Sequence, residues 1–120
     1  MKYSFENLEV WKDSRVLVKD IYQMTLKFLK EEQFGLTSQI RRAAVSISLN
    51  IVEGTSRITT KDQANFYKYS FSSATEVLGA LFIAVDLGYI KESELSKNRL
   101  QIEKITNKLN SLRKSILKNS

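Results

Sequence analysis

Several residue types on which catalytic and metal sites rely are missing from this sequence. It contains no cysteine, no histidine and no proline, and only four glycines among 120 residues. Without cysteine the chain can form no disulfide, no thiolate metal site and no cysteine nucleophile. Without histidine it lacks the commonest general base and the commonest ligand of transition metals. We therefore expect a protein that is not an enzyme, binds no metal or cofactor and has no small-molecule substrate.

Long hydrophobic runs are also lacking. The longest, from Val77 to Val85, lies between Glu76 and Asp86 and is too short to cross a bilayer. The first ten residues contain no apolar segment of the kind that secretory signals carry. With 42% hydrophobic residues, the chain suits one domain, residues 1–120, around one core. These features predict a cytoplasmic protein without a membrane partner.

The scarcity of helix-breaking residues and the spacing of apolar residues predict four helices. They are predicted to run from Asn7 to about Lys30, from Leu36 to Glu53, from Lys61 to Leu87, and from near Ser93 onward, with a frayed end over Lys118 to Ser120. The predicted buried face of helix one consists of Leu8, Trp11, Val18, Ile21, Tyr22, Phe28 and Leu29. Short connections and the lack of any strand pattern predict an all-α, up-down-up-down antiparallel four-helix bundle.

The residues between these helices predict how the helices begin and end. Asn7 is a predicted N-cap, and Thr60 is predicted to form a capping box with Gln63. Gly54 and Gly88 are predicted to end helices two and three, since glycine favours the left-handed conformation found after helix C-termini.

The second predicted helix carries a polar stripe beside its apolar one. The polar residues recur at three- and four-residue steps: Gln39, Arg42, Ser46, Asn50, Glu53 and Arg57. A structural interpretation makes Arg42, Ser46, Asn50, Glu53 and Glu76 a polar network within the bundle or between subunits, in which Arg42 pairs with Glu53 or Glu76. The alternative is a ligand or nucleic-acid site in which Arg41, Arg42 and Arg57 contact phosphates. Because carboxylates would repel phosphate, we favour the structural interpretation for Arg42, Asn50 and Glu53.

The basic excess is concentrated in helix four. The formal net charge is +6, and the residues from Lys97 onward hold seven basic side chains against the single acid Glu103. Such an excess favours RNA, DNA or an acidic protein as partner. Alternatively it is a solvated face that maintains solubility. The residues chosen as candidate phosphate contacts are Arg41, Arg57, Lys104 and Lys108.

The third predicted helix is apolar around nearly its whole circumference from Val77 to Leu87. Because such a helix exposes more apolar surface than one bundle can cover, self-association is expected. The helix opens with four aromatic residues, Phe66, Tyr67, Tyr69 and Phe71. They can serve core and interface packing, or base stacking. Packing is favoured, since Phe66 and Phe71 continue faces that are apolar further along the helix.

Several segments together resemble a known family. They are Phe5 to Trp11, Phe34 to Ile47, Asn50 to Gly54 with Arg57, the Ser73-x-x-Glu76 pair, and Gly88 to Ile90. The sequence resembles the small bacterial four-helix bundle proteins encoded in 23S rRNA intervening sequences. The resemblance implies a homopentamer without known enzymatic activity. The predicted structural polar network also includes Gln39, from the stripe, and Ser73, which matches the Ser-x-x-Glu positions of the family. A similar bundle, the accessory variability protein of diversity-generating retroelements, forms a basic pentameric barrel that binds nucleic acid and a reverse transcriptase.

Two functional hypotheses follow from these features. In the first, a non-enzymatic homo-oligomer associates with RNA, DNA or a ribonucleoprotein through its basic surface. In the second, the protein is an interaction adaptor whose apolar helix three docks a protein partner, with no direct role for nucleic acid. Glu53 and Glu76 form the one plausible carboxylate pair for catalysis, and without histidine or cysteine we do not favour an enzyme.

Overall fold

The computed structural model describes residues 1–119, which form four α-helices and no strand. The helices are α1 (Glu9–Thr25), α2 (Leu36–Ser56), α3 (Thr60–Asp86) and α4 (Glu92–Lys118). Two short 3-10 helices, Ser4–Asn7 and Lys30–Glu32, precede α1 and α2. The expectation of an all-helical chain with four helices is confirmed. Helix α4 continues through Lys118, and Ser120 lies outside the described residues.

Each helix packs antiparallel against its neighbours in the chain, and α4 closes the bundle against α1. Hydrogen bonds record the directions: Ser14 of α1 contacts Ser48 of α2, whereas Thr25 at the end of α1 contacts Arg41 near the start of α2. The bundle measures 46 × 24 × 22 Å. In this antiparallel arrangement, the C-terminal end of α4 lies at the same end of the bundle as the starts of α1 and α3.

Apolar side chains from all four helices fill the centre of the bundle. The largest that are completely enclosed are Leu17, Ile21, Ile40, Ile47, Ile51, Val77, Leu81, Ile105 and Leu109. They recur at three- and four-residue spacing in each helix, as expected for one buried stripe per helix. Burial of these side chains is the main source of bundle stability, since each contributes roughly 1.5–3 kcal/mol.

The first helix differs from its prediction at both ends. Asn7 lies in the 3-10 helix, and Leu8 occupies the N-cap position of α1. The helix ends at Thr25, five residues earlier than predicted. Consequently Leu29 is exposed, and Tyr22 is also exposed although it lies within the helix. Phe28 remains buried because it packs on Tyr89 from the turn, with ring centroids 5.1 Å apart.

Two predicted caps are wrong by a few residues and one is confirmed. Helix α2 continues through Gly54, which is buried, and ends at Ser56. Thr59, not Thr60, caps α3 by accepting a hydrogen bond from the backbone N–H of Asp62. Gly88 follows α3 with a φ of 80°, as predicted for a glycine that ends a helix.

Candidate functional site

The polar stripe of α2 lies along an open groove between α2 and α3. Gln39 donates a 2.7 Å hydrogen bond to Glu76, and the hydroxyls of Ser46 and Ser73 are 2.8 Å apart. Asn50 donates to both the carbonyl and the hydroxyl oxygen of Ser46, each at 2.9 Å. Small side chains at the centre leave a groove of about 320 Å³, lined by Gln39, Arg42, Ala43, Ser46, Ser73 and Glu76. The structure thus places hydroxyl and amide hydrogen bonds along the groove, one of them to the Glu76 carboxylate, and the charged Arg42 also lines it.

Arg42 does not form the expected ion pair with either glutamate within residues 1–119. Glu53 instead binds Arg57, with Nη2 and Oε2 3.1 Å apart. Glu76 accepts its hydrogen bond from Gln39. The physical reason is exposure: an arginine side chain in solvent remains hydrated and gains little from a surface carboxylate. Arg42 is therefore an exposed cation beside the groove.

Arg41 binds the C-terminal turn of α1 from its position on α2. Its Nε donates to the Thr25 hydroxyl at 2.7 Å, and its Nη2 donates to the Tyr22 carbonyl at 3.2 Å. The guanidinium also lies 4.5 Å from the centre of the Tyr22 ring. Carbonyl groups at a helix C-terminus attract cations because they carry partial negative charge. Arg41 thus joins α1 to α2, which the sequence pattern did not indicate.

Lys104 and Lys108 face acidic residues of α1. Lys104 Nζ lies 3.4 Å from Asp13 Oδ1. Lys108 Nζ lies 2.6 Å from Asp13 Oδ2 and 3.1 Å from Glu9 Oε2. The hydrogen bond to Asp13 raises the pKa of Lys108, and the bond to Glu9 adds to this effect. These two lysines therefore have much of their charge offset within the chain.

The four candidate phosphate contacts do not form one patch. Arg41 and Arg57 are sixteen residues apart on α2, which corresponds to roughly 24 Å along a helix. Arg41 lies at the end of the bundle opposite the Lys108–Glu9 pair. Their assignment as phosphate ligands stays a prediction. Arg57 lies over the Phe66 ring near the end of α2 and is paired with Glu53.

Three cations that have no ion-pair partner in the described part of the chain lie close together at the C-terminal end of α4. Arg113, Lys114 and Lys118 take part in no ion pair within residues 1–119. Arg113 Nε donates to the Ala64 carbonyl at 3.2 Å, so α4 meets the start of α3, where Lys61 and Lys68 are exposed. We call these five residues the basic end: Lys61, Lys68, Arg113, Lys114 and Lys118.

The opposite end of the bundle carries both acidic and basic residues. Glu31 and Glu32 precede α2, Asp86 ends α3, and Glu92 begins α4. Lys27, Lys30, Lys91 and Lys97 lie at this same end, so its acidic charges are matched by basic ones and the positive excess lies toward the basic end. The run of basic residues after Glu103 could have indicated this end, but which lysines α1 neutralises depends on contacts between distant segments.

Two further sequence predictions concern metals and membranes. Within residues 1–119 there is no group of three or more acidic, histidine or cysteine side chains suited to holding a metal ion. Over the same residues, none of the helices combines the length and the hydropathy required to span a bilayer.

Comparisons with known proteins agree with the arrangement of helices. A crystal structure of a protein of unknown function from the S23 ribosomal protein family of Bacteroides thetaiotaomicron VPI-5482 superposes with a TM-score of 0.78 and 22% identity. The match covers 88% of this chain and 98% of that one, and at this identity it shows the fold alone. A comparison with curated proteins gives no match. The family model for the 23S rRNA-intervening sequence protein matches residues 6–111. Since this match spans nearly the whole bundle, the chain belongs to the 23S rRNA-intervening sequence protein family.

Proposed function

We propose that this protein is a cytoplasmic, non-enzymatic, homo-oligomeric helical bundle that binds nucleic acid through its basic end. The observation that supports this most is the group of exposed cations at the basic end that have no ion-pair partner among the described residues. Lys114 and Lys118 are exposed and have no acidic partner within residues 1–119, whereas Lys104 and Lys108 are paired with α1. Unpaired lysines can release the counterions of phosphates, which is the main source of sequence-independent affinity for nucleic acids.

Self-association would multiply this charge. Exposed apolar side chains on the second half of α3, namely Phe82, Ile83 and Leu87, favour contact with another subunit. Five copies of the chain, the number that the family resemblance implies, carry a formal charge of about +30. Linked basic ends on one assembly would also raise the apparent affinity for a long nucleic acid beyond that of one subunit.

The binding should be weakly sequence-specific and should decrease steeply with salt, because contacts to phosphates carry no direct information about bases. The test is an electrophoretic titration of structured RNA and duplex DNA over a salt series. The assembled mass is measured in the same buffers by light scattering. We expect an oligomer that binds both polymers and whose binding constant falls linearly with salt concentration when both are plotted as logarithms.

A matched pair of variants tests the role of the basic end. The double variant Lys114→Gln, Lys118→Gln removes two charges from this end, and Lys30→Gln, Lys97→Gln removes two exposed charges from the other half of the bundle. We expect the first variant to reduce the affinity and to lower the slope of the salt dependence by about two counterions. The second variant should change the affinity and the slope little. Equal effects of the two variants would contradict the proposal.

The adaptor hypothesis is the second candidate, and exposed Phe82, Ile83 and Leu87 are the observation that favours it. Under this hypothesis the apolar surface docks a protein partner and nucleic acid is not bound. An oligomer that binds neither RNA nor DNA near physiological salt would favour the adaptor. The double variant Phe82→Ser, Ile83→Ser provides a second test. If it keeps the wild-type assembled mass and still binds nucleic acid, the result argues against the adaptor hypothesis.

A further inference from the structure

Aromatic rings and cations alternate along the outer surface of α2 and α3 next to the basic end. The Arg57 guanidinium lies 4.4 Å from the centre of the Phe66 ring. Phe66 and Tyr69 meet edge to face at 5.5 Å, and Lys68 Nζ lies 5.8 Å from the centre of the Tyr69 ring. We call Arg57, Phe66, Tyr69 and Lys68 the cation–ring row. It lies across the surface between the end of α2 and the start of α3.

The aromatic residues that open α3 divide into an inner and an outer pair. Tyr67 is buried against α2, and Phe71 packs against the core. Tyr69 is 47% exposed, and Phe66 is half-buried beneath Arg57. Core packing therefore accounts for Tyr67 and Phe71, whereas Tyr69, which contacts Phe66 and Lys68, keeps an exposed part of its ring that core packing does not explain.

We propose that the cation–ring row binds single-stranded nucleic acid, with one base stacked on Tyr69 and phosphates held by Lys61 and Lys68. This inference rests on the proposed function and specifies the form of nucleic acid that this surface takes. Proteins that bind single strands combine basic side chains along the backbone with aromatic rings on which successive bases stack. A duplex cannot use such rings, because its bases already stack on one another and are paired.

Helix geometry places the two kinds of contact side by side. Lys61 and Lys68 are seven residues apart, so they lie on one stripe of α3. Phe66 and Tyr69 lie on an adjacent stripe, which faces α2. A strand lying along α3 would place its phosphates on the lysine stripe and its bases on the ring stripe.

The acidic groups near the row set limits on its chemistry. Glu53 binds Arg57 and offsets its charge, so Arg57 offers the flat face of its guanidinium for stacking and not a free cation for phosphate. Asp62 lies one turn before Phe66 on the same face of α3. Its carboxylate repels phosphates from the ring stripe and directs them toward Lys61 and Lys68.

The test compares single-stranded and duplex RNA of the same sequence, by fluorescence anisotropy with the full chain. We expect Tyr69→Ala to weaken binding of the single strand by about fivefold or more, the effect of losing one stacked base. Binding of the duplex should stay within about twofold, since it depends on phosphate contacts. Tyr69→Phe, which keeps the ring, should bind the single strand like the wild type.

Phe34→Ala is the matched control, because Phe34 is a 91% exposed aromatic residue just before α2, at the end of the bundle opposite the basic end. It should change neither affinity. Failure of the wild type to bind any RNA would overturn the proposed function and this inference together. If the wild type binds the single strand and Tyr69→Ala binds it equally well, this inference is overturned but the proposed function is not. Photo-crosslinking of a 4-thiouridine strand should place the adduct on the peptide containing Tyr69, and an adduct confined to α1 would also overturn it.

Discussion

Gly54 on α2 lies directly against the ring of Tyr67 on α3. A Cβ atom added at residue 54 would be 2.4 Å from Tyr67 Cε1 and 2.8 Å from its Cδ1, which is closer than side-chain atoms approach one another. Tyr67 is buried, so its ring has little room to move. The two helices therefore approach most closely where one of them has no side chain, and this explains why α2 continues through a glycine.

We expect Gly54→Ala to destabilise the protein. Overpacking against the Tyr67 ring destabilises the fold by roughly 1–3 kcal/mol. The better helix propensity of alanine offsets about 1 kcal/mol of this at most. The free energy of unfolding, measured by urea denaturation at a fixed protein concentration, should therefore fall. An increase in stability would show that the helices can separate at this point without cost.

Gly79→Ala is the matched control for this experiment. Gly79 also lies in the interior of a long helix, α3, but it is exposed and an added Cβ would meet no atom within 4 Å. Alanine should stabilise the helix at this position by about 0.5–1 kcal/mol. Opposite signs for the two glycines would separate the packing effect from helix propensity.

A buried pair of hydroxyls joins α1 to α2. Ser14 Oγ donates to the Trp11 carbonyl at 2.6 Å, so Ser48 is the donor in the 2.7 Å bond between the two serines. Ser14→Ala would leave the Ser48 hydroxyl without its partner in a site closed to water, at a cost of roughly 1–3 kcal/mol. Because both hydroxyls depend on the same bond, we expect the double variant Ser14→Ala, Ser48→Ala to lose clearly less than the sum of the single variants. Additive losses in this double-mutant cycle would contradict the coupling.

The Lys27–Glu94 ion pair predicts a pH dependence of stability. Lys27 donates a hydrogen bond to Glu94, which lowers the pKa of this carboxyl. A carboxyl whose pKa is lowered by folding stabilises the protein above its unfolded-state pKa, and this contribution is lost as the pH falls through the folded-state value. Both side chains are partly exposed, so the contribution should be at most about 1 kcal/mol.

Urea denaturation of the wild type and Lys27→Gln over a series of pH values checks this prediction. The difference in unfolding free energy should be largest near neutral pH and should disappear under acidic conditions where Glu94 is protonated. Lys30→Gln, which removes a nearby exposed lysine, should show no such trend. A difference that persists in acid would mean that Lys27 stabilises the bundle by packing and not through its charge.

The fold could be predicted from the sequence because apolar spacing determines which residues of a helix are buried. Helix ends depend on competing local contacts, and there the prediction was less accurate. Apolar residues continue to Leu29, which suggests a longer α1. However, the Thr25 hydroxyl donates a hydrogen bond to the Ile21 carbonyl, and Arg41 of α2 donates one to the Tyr22 carbonyl. At Gly54 the close contact with Tyr67 replaces the cap that glycine usually forms.

The candidate site could be predicted only in part, since charge pairing depends on residues far apart in the chain. The polar stripe of α2 follows from helical spacing alone, and its contacts with Ser73 and Glu76 agree with neighbouring antiparallel helices. The neutralisation of Lys108 requires Asp13, which lies 95 residues away in sequence. No local sequence pattern shows that Lys108 is paired and Lys114 is not. The difference depends on where α1 lies in the bundle.

Arg42 distinguishes the two interpretations of the polar groove. It is the one member of the predicted network without a hydrogen bond or ion pair within residues 1–119. If the groove is a contact between subunits, Arg42 finds its partner on another copy of the chain. We therefore expect Arg42→Glu to lower the assembled mass measured by light scattering at dilute concentration, because the new carboxylate would repel an acidic partner on the other copy.

The stability of the single bundle should change by only about 0.5 kcal/mol or less in this variant, as is usual for exposed residues without partners. Lys19→Glu, an equal change of charge at an exposed position of α1, should leave the assembled mass unchanged. If Arg42→Glu also keeps the wild-type mass, the groove faces solvent, and its hydrogen bonds serve only to hold α2 and α3 in register. A loss of mass in both variants would instead show that total charge, and not this groove, controls assembly.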